Sequence, residues 1–176
     1  QTMKLQNIIV WMLPWMFILS FGASGAQSDE KKETRPVIGW IEYVALEGTD
    51  IVVKARIDTG AGPASVHAEI VEITKSKDGA TEKVVFRVVD KDGNKKTMQR
   101  TIVEWINIKK KGGDGYIKRP VIKLDFCLGG KQVEARANLA DRSDFLYPVL
   151  IGRNVLKAGD YMIDPEKTFT HEPGCK

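Results

Sequence analysis

The chain has 176 residues and a formal net charge of +4, with 43% of its residues hydrophobic and 28% charged. That composition excludes a disordered or disulfide-stapled chain, and the length allows one domain of ordinary size rather than two. A multi-span membrane protein is excluded as well, because only one apolar run is long enough to consider.

That run opens the chain. Lys4 is the sole charged residue before Asp29, Ile8 to Phe21 are apolar apart from Pro14 and Ser20, and the small residues Gly22 to Ala26 follow. A basic start, a short apolar core and a small-residue exit read as a secretory signal peptide over 1–26, with a periplasmic or secreted destination. The run falls short of the ~20 residues that span a bilayer, so removal is favoured over retention as an anchor. Its loss lowers the charge from +4 to +3, since only Lys4 goes with it. Residues 27–35 are polar and read as a flexible linker, 36–170 as the folded domain and 171–176 as a flexible tail.

From Pro36 onward, short apolar or alternating runs are separated by turn signals. Strands are expected at Val37–Val44, Ile51–Ile57, Val84–Val89, Thr101–Ile108, Tyr116–Leu128 and Gln132–Leu139. Lys77-Asp78-Gly79, Asp92-Gly93-Asn94 and Gly129-Gly130 punctuate them as hairpin turns. Val149-Leu150-Ile151 is a further apolar strand, and Arg153 to Ala158, stopped by Gly159, is the one segment that invites a helix. The pattern predicts an all-β domain, a barrel or sandwich, with one short C-terminal helix. Cys127 and Cys175 could pair in an oxidising compartment; the sequence leaves both states open.

Several chemistries fail quickly. His67 and His171 lie far apart and no H-E-x-x-H occurs, so no metal ligand set and no cofactor is expected. No phosphate loop, zinc-ligand spacing or concentrated basic stripe is present, and nucleic acid is not an expected partner. Ser65 and His67, two apart on an extended segment, share a face without presenting a nucleophile to a base.

The sharper feature is Ile57-Asp58-Thr59-Gly60-Ala61 at the end of a clean strand. It mounts a carboxylate on a loop directly after a rigid element, with Gly60 allowing a tight turn and the Thr59 hydroxyl able to fix the carboxylate's pose. Downstream come the glycine-rich hairpin Lys109 to Lys118, including Gly112-Gly113-Asp114-Gly115, and then Val149-Leu150-Ile151-Gly152-Arg153-Asn154-Val155-Leu156.

These blocks, in this order, resemble the retroviral-type aspartic proteases. Gly39 to Leu46, Lys54 to Ala61, Ser65 to Ala68, Arg119 to Ile122, Ile151 to Leu156 and Asp164 to Phe169 are more closely similar to one bacterial family. It comprises retropepsin-like proteins long labelled ATP-dependent zinc proteases, some of which accompany ATP-grasp glutamate ligases. The resemblance spans roughly Val37 to Thr170. It implies a closed retropepsin-like β-barrel and an aspartic active site with Asp58, Thr59 and Gly60 as its catalytic turn. Ala61 and the flap residues Gly112, Gly113, Asp114 and Gly115 would contact substrate, and Ile151, Gly152, Arg153 and Asn154 would support the turn. One departure stands out: Gly62-Pro63 occupies the place where that family usually carries Arg-Thr.

Aspartic proteolysis needs two carboxylates, and this chain offers one Asp-Thr-Gly. Removing 1–26 leaves 150 residues, enough for one lobe but not two, so a homodimer with Asp58 facing Asp58 is expected. The implied substrate is a peptide or protein, and Lys109-Lys110-Lys111 would suit an acidic one; a glutamate-ligase system is a further implied partner. The alternative is an inactive cell-envelope binding or scaffold module that keeps the barrel.

Overall fold

The computed structural model describes residues 34–46, 51–110 and 114–175. The expected leader and most of the expected linker lie outside these residues, as do Gly112 and Gly113.

Ten strands and one helix follow in chain order: β1 (Val37–Leu46), β2 (Ile51–Ile57), β3 (Ala64–His67), β4 (Glu69–Lys75), β5 (Glu82–Val89), β6 (Lys95–Lys109), β7 (Tyr116–Leu128), β8 (Lys131–Ala140), β9 (Val149–Ile151), α1 (Arg153–Ala158) and β10 (Met162–Thr168). Six strands run β1-β2-β9-β3-β8-β7, and β1 pairs back onto β7 through Ala45 with Cys127 and Leu46 with Phe126. That last pairing closes the barrel. β6, β5 and β4 extend the sheet beyond β7, and β10 lies parallel to β1.

Alternation explains the closure. In β2, Ile51, Val53, Ala55 and Ile57 are buried while Lys54 and Arg56 are exposed, so one face turns into the barrel. Ile38, Leu46, Val66, Leu124, Phe126, Leu139 and Ile151 are at most 1% exposed and share one core with Phe86 of β5. Truncating either phenylalanine to Ala costs about 3–5 kcal/mol. At all three expected hairpin turns, glycines take the left-handed backbone that other residues avoid: Gly79, Gly93, Gly129 and Gly130 have φ of 71°, 88°, 56° and 76°.

Three strands went unanticipated. β3 follows Pro63 and is four residues long, and β4 shows no alternation because nearly all of it is exposed. β10 contains Pro165, which a strand tolerates at a sheet edge where no donor is required.

The C-terminal segment is attached to the barrel. Cys127 of β7 and Cys175 form a disulfide with Cα atoms 5.6 Å apart. Residues 171–175, expected as a loose tail, therefore end on the strand that closes the barrel. Glu42, 1% exposed, secures the approach: its carboxylate accepts from the Gly39 amide at 2.6 Å, the Thr170 amide at 2.9 Å and the Thr170 hydroxyl. A buried carboxylate needs donors of this kind to offset its desolvation. The bond closes a separation of 48 residues, for which chain entropy gives roughly 2–4 kcal/mol. The C127S/C175S double variant, or reduction, is expected to lower Tm by about 10 °C in a thermal melt followed by circular dichroism.

Candidate active site

β2 delivers Asp58 to one end of the barrel. Parallel pairing sets Ile57 beside Ile151 of β9, and the Asp58 amide donates to the Ile151 carbonyl at 2.9 Å. Asp58 is half-buried, and its Oδ1 accepts from the amides of Gly60 at 2.9 Å and Ala61 at 3.2 Å. The carboxylate is thus locked by its own turn, while Oδ2 has no hydrogen-bond partner among the described residues. Sequence reasoning assigned the locking role to the Thr59 hydroxyl. The structure corrects this: Thr59 is exposed, its hydroxyl makes no hydrogen bond among the described residues, and the Gly60 and Ala61 amides lie nearer the carboxylate.

The segment after β9 holds the turn from below. Arg153 Nη1 donates to the carbonyls of Thr59 at 2.9 Å and Gly60 at 2.7 Å, and its amide donates to the Ala61 carbonyl at 2.9 Å. The Asn154 amide donates to Gly62, its Oδ1 accepts from the Ala64 amide at 3.0 Å, and its Nδ2 donates to the Arg136 carbonyl. Gly152 leaves no room for a side chain; a Cβ there would stand 2.6 Å from the Pro63 carbonyl oxygen. Asp58 to Ala61 and Ile151 to Asn154 are therefore one hydrogen-bonded unit, although the two segments lie about 90 residues apart.

Asp114 and Gly115 sit exposed in the β6–β7 hairpin and make no hydrogen bond to this unit; the Gly115 carbonyl accepts from the Lys110 amide instead. Ser65 and His67 are engaged separately. The Ser65 hydroxyl donates to Asn138 Oδ1 at 3.0 Å, and His67 Nδ1 accepts from the Arg142 amide at 2.8 Å, so neither serves the other as nucleophile or base.

Sequence reasoning missed the loop between β8 and β9. With Arg56, Leu150 and Asp58 it encloses a hollow of about 280 Å³, to which Arg142, Phe145 and Tyr147 contribute. Arg142 is 9% exposed, and Asp58 is the only carboxylate among the described residues lining this hollow. Burial pushes the Arg142 guanidinium down from its ordinary range and Arg119 adds to that, whereas Asp58 acts in the opposite sense. The available signal was positional: Asp141 to Pro148 is a polar and aromatic loop leading straight into the strand beneath the Asp58 turn.

Residues 37–173 match the model of a family described as retropepsin-like aspartic endopeptidase RimB. The chain belongs to this RimB-like family. Two curated relatives, each described as a probable alpha-L-glutamate ligase, come from Shewanella pealeana and Shewanella halifaxensis. They are 31% and 30% identical over 137 residues, which cover 76% of this chain and 29% of either relative. The RimB-like chain thus spans less than a third of the ligases it matches. The crystal structure of Lpg0085 from Legionella pneumophila, a protein of unknown function, is 34% identical with a TM-score of 0.63 and covers 78% of this chain and 98% of its own. Within this family, the Asp58 turn is the candidate aspartic centre.

Proposed function

We propose that the chain is an exported aspartic peptidase that hydrolyses peptide bonds with a pair of Asp58 carboxylates contributed by two copies. The observation that carries this reading is Asp58 itself: Oδ1 is fixed by two amides, Oδ2 is uncommitted, and the hollow beside it holds no second carboxylate among the described residues. A two-fold pairing supplies the missing one.

Two carboxylates at that separation hold one proton between them. The ionised Asp58 takes a proton from the attacking water, while the protonated one hydrogen-bonds to and protonates the scissile carbonyl oxygen. The hydroxyl adds to the carbonyl carbon and gives a neutral diol. One diol hydroxyl then returns its proton to a carboxylate as the other carboxyl protonates the amide nitrogen, and the C–N bond breaks. Thr59, Gly60 and Arg153 keep the two turns aligned. Gly112, Gly113, Asp114 and Gly115 belong to a hairpin that would close over substrate, and Ala61 would contact its backbone.

The disulfide supports export, since such bonds persist in oxidising compartments. Sequencing the N-terminus of the secreted form should find Gln27. The relatives' description as ligases and Lys109-Lys110-Lys111 together favour acidic peptides, including those of a glutamate-ligase system, as substrates.

Sedimentation equilibrium combined with activity measured over the same concentrations tests the shared pair. Activity is expected to track the dimer, and full activity in a chain that stays monomeric rejects it. A second reading, an inactive envelope binding module, rests on Gly62-Pro63 replacing the usual Arg-Thr. Tight binding of an envelope component with no cleavage across a varied peptide library would support it.

A further inference from the structure

Arg142 is the charged group of the hollow that the folded architecture leaves unfinished. At 9% exposure it sits where arginine is seldom found unless it is paired. Its position is fixed on several sides. The amide donates to His67 Nδ1 at 2.8 Å, Nε donates to the Tyr147 carbonyl at 3.3 Å, and the guanidinium lies over the Phe145 ring at 4.6 Å. Its terminal amines have no hydrogen-bonding partner among the described residues, and no direct ion pair joins it to Asp58. A planar, charged fork is therefore held by packing and aimed along the wall of the hollow that Asp58 also lines.

We propose that Arg142 forms a carboxylate-recognising subsite beside Asp58, so that the chain takes peptides carrying a glutamate or aspartate next to the bond it cuts. This rests on the peptidase reading and gives it a specificity residue. The chemistry selects the ligand. A substrate carboxylate can accept two parallel bonds from the fork, which recovers hydration that Arg142 lost on burial. Arg56 at the same hollow adds a second positive charge. A doubly charged phosphate would meet stronger repulsion from Asp58 than a singly charged carboxylate, so a carboxylate suits the hollow better. Phe145 and Leu146, 60% and 83% exposed, offer apolar surface for the stem of a glutamate side chain.

The test uses the full chain carrying Asp58→Asn, which binds peptide without cutting it, and two fluorescent pentapeptides, Ala-Ala-Glu-Ala-Ala and Ala-Ala-Gln-Ala-Ala. Anisotropy is expected to show the glutamate probe binding about 10-fold or more tighter, the scale of a hydrogen-bonded charge. Adding Arg142→Met should equalise the two probes, and Arg142→Lys, which keeps the charge and loses the fork, should restore part of the preference. Lys123→Gln, on an exposed ion pair with Glu134 elsewhere on the barrel, should leave the preference unchanged. Equal binding of both probes, no measurable binding of the glutamate probe, or a glutamate preference that survives Arg142→Met in folded protein would overturn the subsite. Glutamate-selective binding through Arg142 with no cleavage by the unsubstituted chain would instead overturn the peptidase reading and leave the subsite standing.

Discussion

Asp58→Asn is expected to reduce peptide cleavage by roughly 10²–10⁴-fold or more, the contribution typical of general acid–base catalysis. The side chain is the only carboxylate among the described residues lining its hollow, so no neighbour can take over the proton transfer. The fold should not change. An asparagine Oδ1 can accept from the Gly60 and Ala61 amides as the carboxylate does at 2.9 and 3.2 Å, so the turn keeps its internal bonds. Tm is expected to stay within about 3 °C of the unsubstituted chain, because no buried group loses its partner. Undiminished turnover in this variant would remove Asp58 from the chemistry.

Gly152→Ala is expected to be among the most damaging single methyl additions in the site. Gly152 has φ of −90° and ψ of 177°, an extended backbone open to any residue, so the constraint is space alone. Its Cβ would lie 2.6 Å from the Pro63 oxygen and 2.7 Å from the Gly62 oxygen, both backbone atoms that cannot rotate away. The turn bearing Asp58 would have to lift off the start of α1, which strains the bond from the Asn154 amide to Gly62. Overpacking of this kind costs about 1–3 kcal/mol or somewhat more, which corresponds to a Tm lower by about 5–15 °C. Because the displaced atoms carry Asp58, cleavage should fall about 100-fold even at temperatures where the variant remains folded. Thermal melts and kcat/KM measured together check both parts. A variant with unchanged melting and activity would show that the Gly152 contact does not position the turn.

Much of the fold was legible because barrel strands must alternate. β2 and β7 match their expected limits, and the other four anticipated strands differ only at their ends, β6 most of all by starting at Lys95. β3, β4 and β10 were not legible, since their strand character comes from partners rather than from their own pattern. β3 is held by β8 and β9, and β10 is an edge strand interrupted by proline. At the site, Asp58 to Ala61 and Ile151 to Asn154 could be read because each is a contiguous motif with its own turn chemistry. Thr59 was given the wrong task because a hydroxyl's direction depends on backbone torsions that a sequence does not show. Arg142 could not be read at all: its place beside Asp58 arises only when β9 inserts between β2 and β3 and draws the preceding loop across the end of the barrel. The Cys127–Cys175 bond was likewise open until the fold set their Cα atoms 5.6 Å apart.

The shared pair of Asp58 carboxylates is tested most directly by subunit mixing. The unsubstituted chain is held at fixed concentration and titrated with the D58N chain under conditions of free exchange, and cleavage is followed. If each centre needs one carboxylate from either copy, an equimolar mixture leaves roughly half of the original activity, and about a tenfold excess of D58N leaves about a tenth or less. Activity that stays level throughout the titration would contradict a centre built from two copies.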